Sequence, residues 1–423
     1  MKGIKAIVKR GAIATLAGSF LLLCGYLVFP LGDQQLRSDY SQVILAKDNS
    51  ILRVYLNEEE QYLLSPQLQD SMPQNLIEAV LAFEDQYFYR HPGINPVALL
   101  RAAYWNIYHG RVVSGGSTIT MQVARMIHNS SRTIANKLLE TVLALKLEVH
   151  LTKEEILTAY LTHAPYGSNV RGYLAASHRF FGKPPHQLTW SEASLLAILP
   201  NAPGVIFPSR QEEALLEKRN FLLEKLKAQG VISEEIYALS LLEPIPNVLI
   251  PFDLQAPHLA DRIHQENDLD VVQTTIDPEI QGETNFFLQQ HLAKQSLLGI
   301  RNASALVIDN TTGEIAAYVG SQDYHDLDNA GRVDGVQAPR SSGSILKPFL
   351  YALAIDEGLI LPKTLIKDVP TYYSSFSPSN ASEKFSGVTP ANEALIYSLN
   401  IPAVRLLNAY GVGAFYHQMK AAG

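Results

Sequence analysis

The sequence predicts a multidomain, membrane-tethered chain: one transmembrane helix, then a mostly α-helical domain, then an α/β (α+β) domain. Three observations carry this. Residues Gly11 to Leu31 hold no charged side chain. From Pro73 to about Leu215 apolar residues recur at helical spacing, and from Val271 onward the period shifts to two. Repeats and low-complexity tracts are absent, and 47% hydrophobic residues over 423 positions are enough to fill about two to three cores.

The 21 residues of the uncharged run would rise roughly 30 Å as a helix, enough to cross a bilayer core. Lys2, Lys5, Lys9 and Arg10 precede it and no acid occurs before Asp33. By the positive-inside rule, residues 1–10 form a cytoplasmic tail, 11–31 a single-pass anchor, and the rest of the chain is exported. A cleavable signal peptide is the rival reading, but no small-x-small site follows Phe29-Pro30-Leu31 and the run exceeds a usual signal core. Cys24, the only cysteine, lies in this run. It excludes an intrachain disulfide and leaves no cysteine for a metal site.

Residues 33–68 read as a short β linker, with β-branched runs Val43 to Lys47 and Ile51 to Tyr55 about Asp48-Asn49-Ser50. Residues 69–215 form the helical domain. Its helices are placed at Asn75 to Phe83, Asn136 to Glu148, Lys153 to Leu161 and Trp190 to Leu199, the last ended by Pro200 and Pro203. Pro96 to Val113 mixes Leu99, Leu100, Tyr104, Trp105, Ile107 and Tyr108 with Arg101 and Arg111, which fits a helix at a membrane surface or a core helix with a solvated edge. Residues 216–270 are a connector: a charged helix, Gln211 to Gln229, stops at Gly230, and Pro244 to Pro257 is rich in proline. Residues 271–423 open the last domain, with strands at Val271 to Ile276, Ser304 to Asp309 and Glu314 to Val319.

The chemistry is signalled by charge placement. The chain is net −7, yet between Asp85 and Glu140 it has no acidic residue while holding Arg90, Arg101, Arg111, Arg125, Arg132 and Lys137. Carboxylates bracketing a cationic stretch suit reaction on an anionic substrate, because a carboxylate can accept a proton while cations neutralise a charged leaving group. Gly115-Gly116-Ser117-Thr118 stands just before a helical run, where free amides and the helix dipole attract anions. An ordinary turn is the bland alternative.

Four ordered motifs then identify a resemblance. Glu84, Asp85, Phe88, His91 and Gly93 match E-D-x-x-F-x-x-H-x-G, and Gly115 to Gln122 match G-G-S-T-x-T-x-Q, with Arg125 where lysine is common. Lys137 and Glu140 match R-K-x-x-E with Asn136 for arginine. Lys153, Ile156, Leu157 and Tyr160 match K-x-x-I-L-x-x-Y-x-N with Thr162 for asparagine. The stretch resembles the glycosyltransferase family 51 module of the class A, bifunctional penicillin-binding proteins. That resemblance implies a lysozyme-like domain polymerising lipid II into a nascent glycan strand at the bacterial inner membrane, with the catalytic domains in the periplasm. It implies Glu84 as base toward the acceptor's sugar hydroxyl, with inversion and release of undecaprenyl pyrophosphate. Glu140, Arg125 and Lys137, with Ser117, Thr118 and Gln122, would surround the pyrophosphate, and Lys153 would bind substrate. No cofactor is required by the residues themselves, and a divalent cation (Mg or Mn) has a place at the pyrophosphate. Asp85 reads as a local helix cap or ion pair as readily as a catalytic residue, and His91 as a structural hydrogen-bonding residue rather than a proton shuttle.

A second constellation is Ser344-Ile345-Leu346-Lys347 with Ser398-Leu399-Asn400. Three residues of helical spacing put a serine hydroxyl and a lysine amine on one face, where an amine kept neutral by burial can take the serine proton. The pair resembles the S-x-x-K and S-x-N elements of penicillin-binding transpeptidases, which have a β-lactamase-like fold. The resemblance implies Ser344 as acylated nucleophile, Lys347 as its base, Ser398 and Asn400 as assistants, and β-lactams as inhibitors of a complete site. No K-T-G follows Asn400 before Gly423, so an incomplete transpeptidase domain and an intact glycosyltransferase are expected. A serine β-lactamase or carboxypeptidase, a muramidase-like hydrolase using Glu84 as general acid, and a non-catalytic envelope scaffold are the rivals; no nucleic-acid partner is expected.

Overall fold

A computed structural model describes residues 39–422 apart from 70, 112–114, 129–132, 202–211 and 374–375. The expected tail and anchor lie outside the described residues, and among those described no helix is long and apolar enough to cross a membrane. The chain divides into two compact units, one ending at Gln337 and the other starting at Ala338.

The first unit opens on the expected hairpin, β1 (Val43–Leu45) antiparallel to β2 (Ile51–Val54). Asn49 adopts φ 68° in its turn, a conformation that asparagine tolerates better than most residues. Helices follow: α1 (Gln74–Glu84), α2 (Pro96–His109), α3 (Ile119–His128), α4 (Ile134–His150), α5 (Lys153–His163), α6 (Tyr173–Phe181), α7 (Trp190–Ile198), α8 (Glu212–Ala228) and α9 (Glu234–Leu242). Their starts are chemically marked. Asn95 caps α2 by accepting from the Ala98 amide and Pro96 fills its first position, where no amide partner is needed. Thr152 with Glu155, and Thr189 with Glu192, close reciprocal capping boxes on α5 and α7.

These helices share one core that includes Leu76, Val80, Phe88, Ile119, Val123, Leu147, Leu161, Tyr166, Leu196 and Leu223. Within it α1 packs against α7, α3 against α4 and α5, and α7 against α8. Gly172, at φ 76°, is needed twice over: its backbone is left-handed, and a Cβ there would meet the Thr162 carbonyl oxygen at 2.3 Å.

The first compact unit runs past residue 271, where the sequence pattern places a new domain. After α10 (Pro257–Glu266), β3 (Val271–Gln273) pairs in parallel with β1, giving the strand order β2-β1-β3. The reason is visible in the packing: Ile44 and Leu52 of the hairpin share a small core with Leu259, Ile276 and Tyr318. Residues 43–54 are therefore a fixed part of a sheet as well as a link. Then come α11 (Pro278–Gln295) and the expected antiparallel hairpin of β4 (Ala305–Ile308) and β5 (Ile315–Val319), with Gly313 at φ 77° in its turn.

The second unit is mainly helical: α12 (Lys347–Asp356), α13 (Ala391–Ile396), α14 (Asn400–Tyr410) and α15 (Val412–Ala421). One antiparallel pair, β6 (Leu365–Asp368) with β7 (Gly387–Pro390), accompanies them. Leu350, Tyr351, Ala354, Ala394, Leu406 and Phe415 make its core.

Candidate active site

Helix α1 ends on Glu84, and its next residue begins a tie to α3. Asp85 is buried; His91 Nε2 lies 3.0 Å from both of its carboxylate oxygens, and its Oδ2 accepts from the Ile119 amide at 3.2 Å. Thr118 donates to the Gly93 carbonyl at 2.6 Å and accepts from the Met121 amide. Two amides of the first turn of α3, those of Ile119 and Met121, are thus taken by the protein's own carboxylate and hydroxyl. These bonds occupy two of the donors that were expected to attract an anion and tie Asp85, His91 and Thr118 to the start of α3.

Glu84 instead faces a groove of about 770 Å³ lined by Phe83, Gly115, Ser117, Gln122, Arg125, Thr133, Lys137, Glu140 and Asn201. Its Oε2 accepts from the Gln122 amide at 2.6 Å and its Oε1 from the Asn201 amide. Loss of hydration pushes its carboxyl up to about 7, with Asp85 adding to the rise, against the donors Gln122 and Asn201 and the charge of Arg125. Lys137 donates to the Ser117 hydroxyl. Glu140, only 4% exposed, reaches the groove from α4.

Gly116 explains how the loop comes so near α2. A Cβ there would lie 3.0 Å from Leu99 Cα, so only glycine lets Gly115 and Ser117 turn toward the groove while α2 packs behind. The opposite side of α2 is apolar and open, with Val97, Leu100, Tyr104, Ile107 and Tyr108 exposed and Ile107 81% so.

Of the residues expected at the pyrophosphate, Ser117, Gln122, Arg125, Lys137 and Glu140 are brought together with Glu84; Thr118 and Lys153 are not among the lining residues. The Lys153 ammonium donates to Glu148 and to the His91 carbonyl, both at 2.7 Å, and stands 4.4 Å above the Phe88 ring. Those acceptors tie it to the framework. Asn201 was not foreseen. The only trace of it in the sequence is a polar residue directly after Pro200, where α7 ends.

The second constellation lies wholly in the second unit. Ser344 sits exposed in the turn before α12, and Lys347 is the first residue of that helix. Lys347 donates to the Ser398 carbonyl (2.7 Å), the Ser398 hydroxyl (3.1 Å) and Asn400 Oδ1 (2.7 Å). The Lys347 backbone amide donates to the Ser344 carbonyl at 3.1 Å, but among the described residues its side-chain amine bonds to the S-x-N residues and not to the Ser344 hydroxyl. Burial holds the Lys347 amine below its ordinary value. Ser398 takes φ 51°, a strained conformation for serine of the kind that clusters at active sites. Asn400 is held in turn: Asn380 Oδ1 accepts from its amide at 2.9 Å, and Asn380 donates to the buried Asp368. A pocket of about 490 Å³ adjoins Lys347 and Asn400, with Leu350, Val404 and Phe415 in its wall.

The transglycosylase family matches residues 47–227, and the penicillin binding protein transpeptidase domain matches residues 303–423. The chain is 37% identical to penicillin-binding protein 1C of Escherichia coli (strain K12), over 99% of its own length and 54% of that protein. It is 31% identical to penicillin-binding protein 1F of Bacillus subtilis (strain 168), over 84% and 51%, and 30% identical to penicillin-binding protein 1B of E. coli, over 84% and 45%. The chain spans about half the length of the curated relatives it matches.

Proposed function

The chain belongs to the class A penicillin-binding proteins, and from that premise we propose that its helical domain is a peptidoglycan glycosyltransferase that extends glycan strands from lipid II. The observation that carries this reading is the pairing of Glu84, a carboxyl pushed up to about 7, with Arg125 and Lys137 in one groove. An acceptor sugar hydroxyl gives its proton to Glu84 as its oxygen bonds to the donor's anomeric carbon. On the far side of that carbon the bond to the pyrophosphate oxygen breaks, which inverts the linkage. The diphosphate leaves with its negative charge, met by Arg125, Lys137 and the Ser117 hydroxyl. A base poised near neutrality serves such a transfer. A glycan hydrolase has no diphosphate to neutralise, so the two cations favour the transferase.

Substrate on a polyprenyl chain calls for a bilayer, and the exposed apolar side of α2 offers a contact. Its Tyr104, Trp105 and Tyr108 rings pack on one another, an amphipathic set suited to the headgroup region. With the uncharged run Gly11–Leu31 read as an anchor, this contact supports a reading in which the enzyme works at the inner membrane with its domains in the periplasm. Among the described residues no group of three or more His, Cys, Asp or Glu is placed to hold a metal ion. A divalent cation at the pyrophosphate would therefore draw its ligands from the diphosphate oxygens and Glu140, supplying charge neutralisation there. In the second domain Ser344 is the residue we assign to acylation by peptide or β-lactam, with Lys347, Ser398 and Asn400 handling the proton.

The test supplies labelled lipid II in detergent or liposomes to the wild type and Glu84→Gln. Polymer from the wild type alone is expected; equal polymer from both would remove Glu84 as base and this mechanism with it.

A further inference from the structure

The helix α1 that carries Glu84 packs along α7, and the chain leaves α7 through a tight turn, Leu199–Asn201, whose Leu199 and Pro200 are buried. That anchored turn delivers Asn201 to the C-terminal end of α1. Asn201 itself is exposed, so no packing demand explains an amide there. Its nitrogen donates to Glu84 Oε1, while Gln122 donates to Oε2. Each carboxylate oxygen has two lone pairs, so this leaves one on each for an incoming hydroxyl.

We propose that Asn201 is a positioning residue for the base: with Gln122 it grips one oxygen each of Glu84, fixing the plane of the carboxylate. This rests on Glu84 acting as the base. The electrostatic setting is set by Asp85 at the end of α1, Arg125 on α3, Lys137 and Glu140 on α4, Tyr160 on α5, the nearby Tyr166, and Lys225 of α8, which donates to the Ala82 carbonyl. Among these, Arg125 and the two amides favour the charge, and loss of hydration and Asp85 oppose it. Removing one amide tips that balance toward the protonated acid.

The experiment measures elongation of labelled lipid II by the full chain from about pH 5.5 to 9 for the wild type, Asn201→Ala, Asn201→Asp and Asn201→Gln, with thermal unfolding recorded for each. For Asn201→Ala the expected result is a fall in kcat of about tenfold at pH 7, the scale of one hydrogen bond to a charged group. Its acid limb moves to higher pH, so that part of the loss is recovered at pH 9. Asn201→Asp, nearly isosteric, moves the limb further because it sets a second carboxylate beside the first. Asn201→Gln restores part of the rate. A uniform loss at every pH with an unmoved acid limb, or no loss at all, would overturn the proposal. Either result together with an inactive Glu84→Gln leaves the base assignment standing, whereas an active Glu84→Gln removes that assignment whatever Asn201 does.

Discussion

The groove of the helical domain and the Ser344–Lys347 region bring a base toward neutrality from opposite ends of the scale. In both, loss of hydration disfavours the charged form: it raises Glu84 and lowers Lys347. The neighbours differ. Glu84 is met by donors, Gln122 and Asn201, which hold the basic form that a proton acceptor needs. Lys347 is met by acceptors, the Ser398 carbonyl and Asn400 Oδ1, which hold the ammonium. The first site is arranged in the protonation state that its reaction consumes; the second has first to give a proton away. Burial alone does not make a base, and the polarity of the hydrogen-bond partners decides which form waits.

Breaking the first half of this comparison should have the largest effect. Glu84→Gln is expected to lower chain growth by about 10³-fold or more in a lipid II elongation assay. Arg125→Ala or Lys137→Met should cost about 10²-fold in kcat at saturating substrate, the scale of one lost electrostatic stabiliser. A wild-type rate in either would mean that the groove does not neutralise the leaving group. Wild-type activity should fall with the ionised fraction of Glu84 as pH drops below about 7.

The framework can be separated from the groove. Lys153→Met takes the cation from Glu148, which keeps only the Thr120 hydroxyl, and one of two donors from the His91 carbonyl, and should cost about 1–3 kcal/mol in denaturant unfolding. The acid limb of the pH–rate profile should stay where it is. Glu84 makes the reverse case. Its folded value, about 7, lies above its ordinary 4.5, so its contribution to stability is fully present below about pH 4.5 and lost as pH rises through 7. Glu84→Gln, neutral throughout, should therefore be more stable than the wild type at pH 8 by about 1–2 kcal/mol, discounted for the open groove, and no more stable at pH 4. In the second region Asn400→Leu removes an acceptor from the ammonium and should lower the Lys347 titration further below its ordinary value, read by NMR of labelled lysine. An unmoved titration would show that Asn400 does not hold the charged form.

Much of the helical domain was legible because its amphipathic periods and caps agree: Thr152 with Glu155 and Thr189 with Glu192 mark helix starts that the structure keeps. Helix α11 was missed for the converse reason. Its sequence, rich in Gln and Glu with exposed Phe286 and Phe287, has no apolar stripe to count. Pro257, read as the end of a connector, opens α10, since proline suits a first helical position. In the site, the residues tied to local motifs were found, while Asn201 reaches Glu84 only through the packing of α7 on α1. A contact across 117 positions leaves no period or spacing to read. A lysine in a motif does not reveal which way its ammonium points, and that of Lys153 turns to Glu148 and the His91 carbonyl.

The shared sheet has a mechanical consequence. Since β1 is flanked by β2 on one edge and by β3 on the other, the chain departs into the helical domain and comes back to the same three strands. Its exit at Val54 and its return at Val271 both lie level with Val43, on either side of β1, the geometry of an inserted module. A single protease nick between α8 and α9 would leave both fragments clasped by that ladder. A gene in which the insert is replaced by a few glycines and serines should still join the strand ends without stretching the backbone.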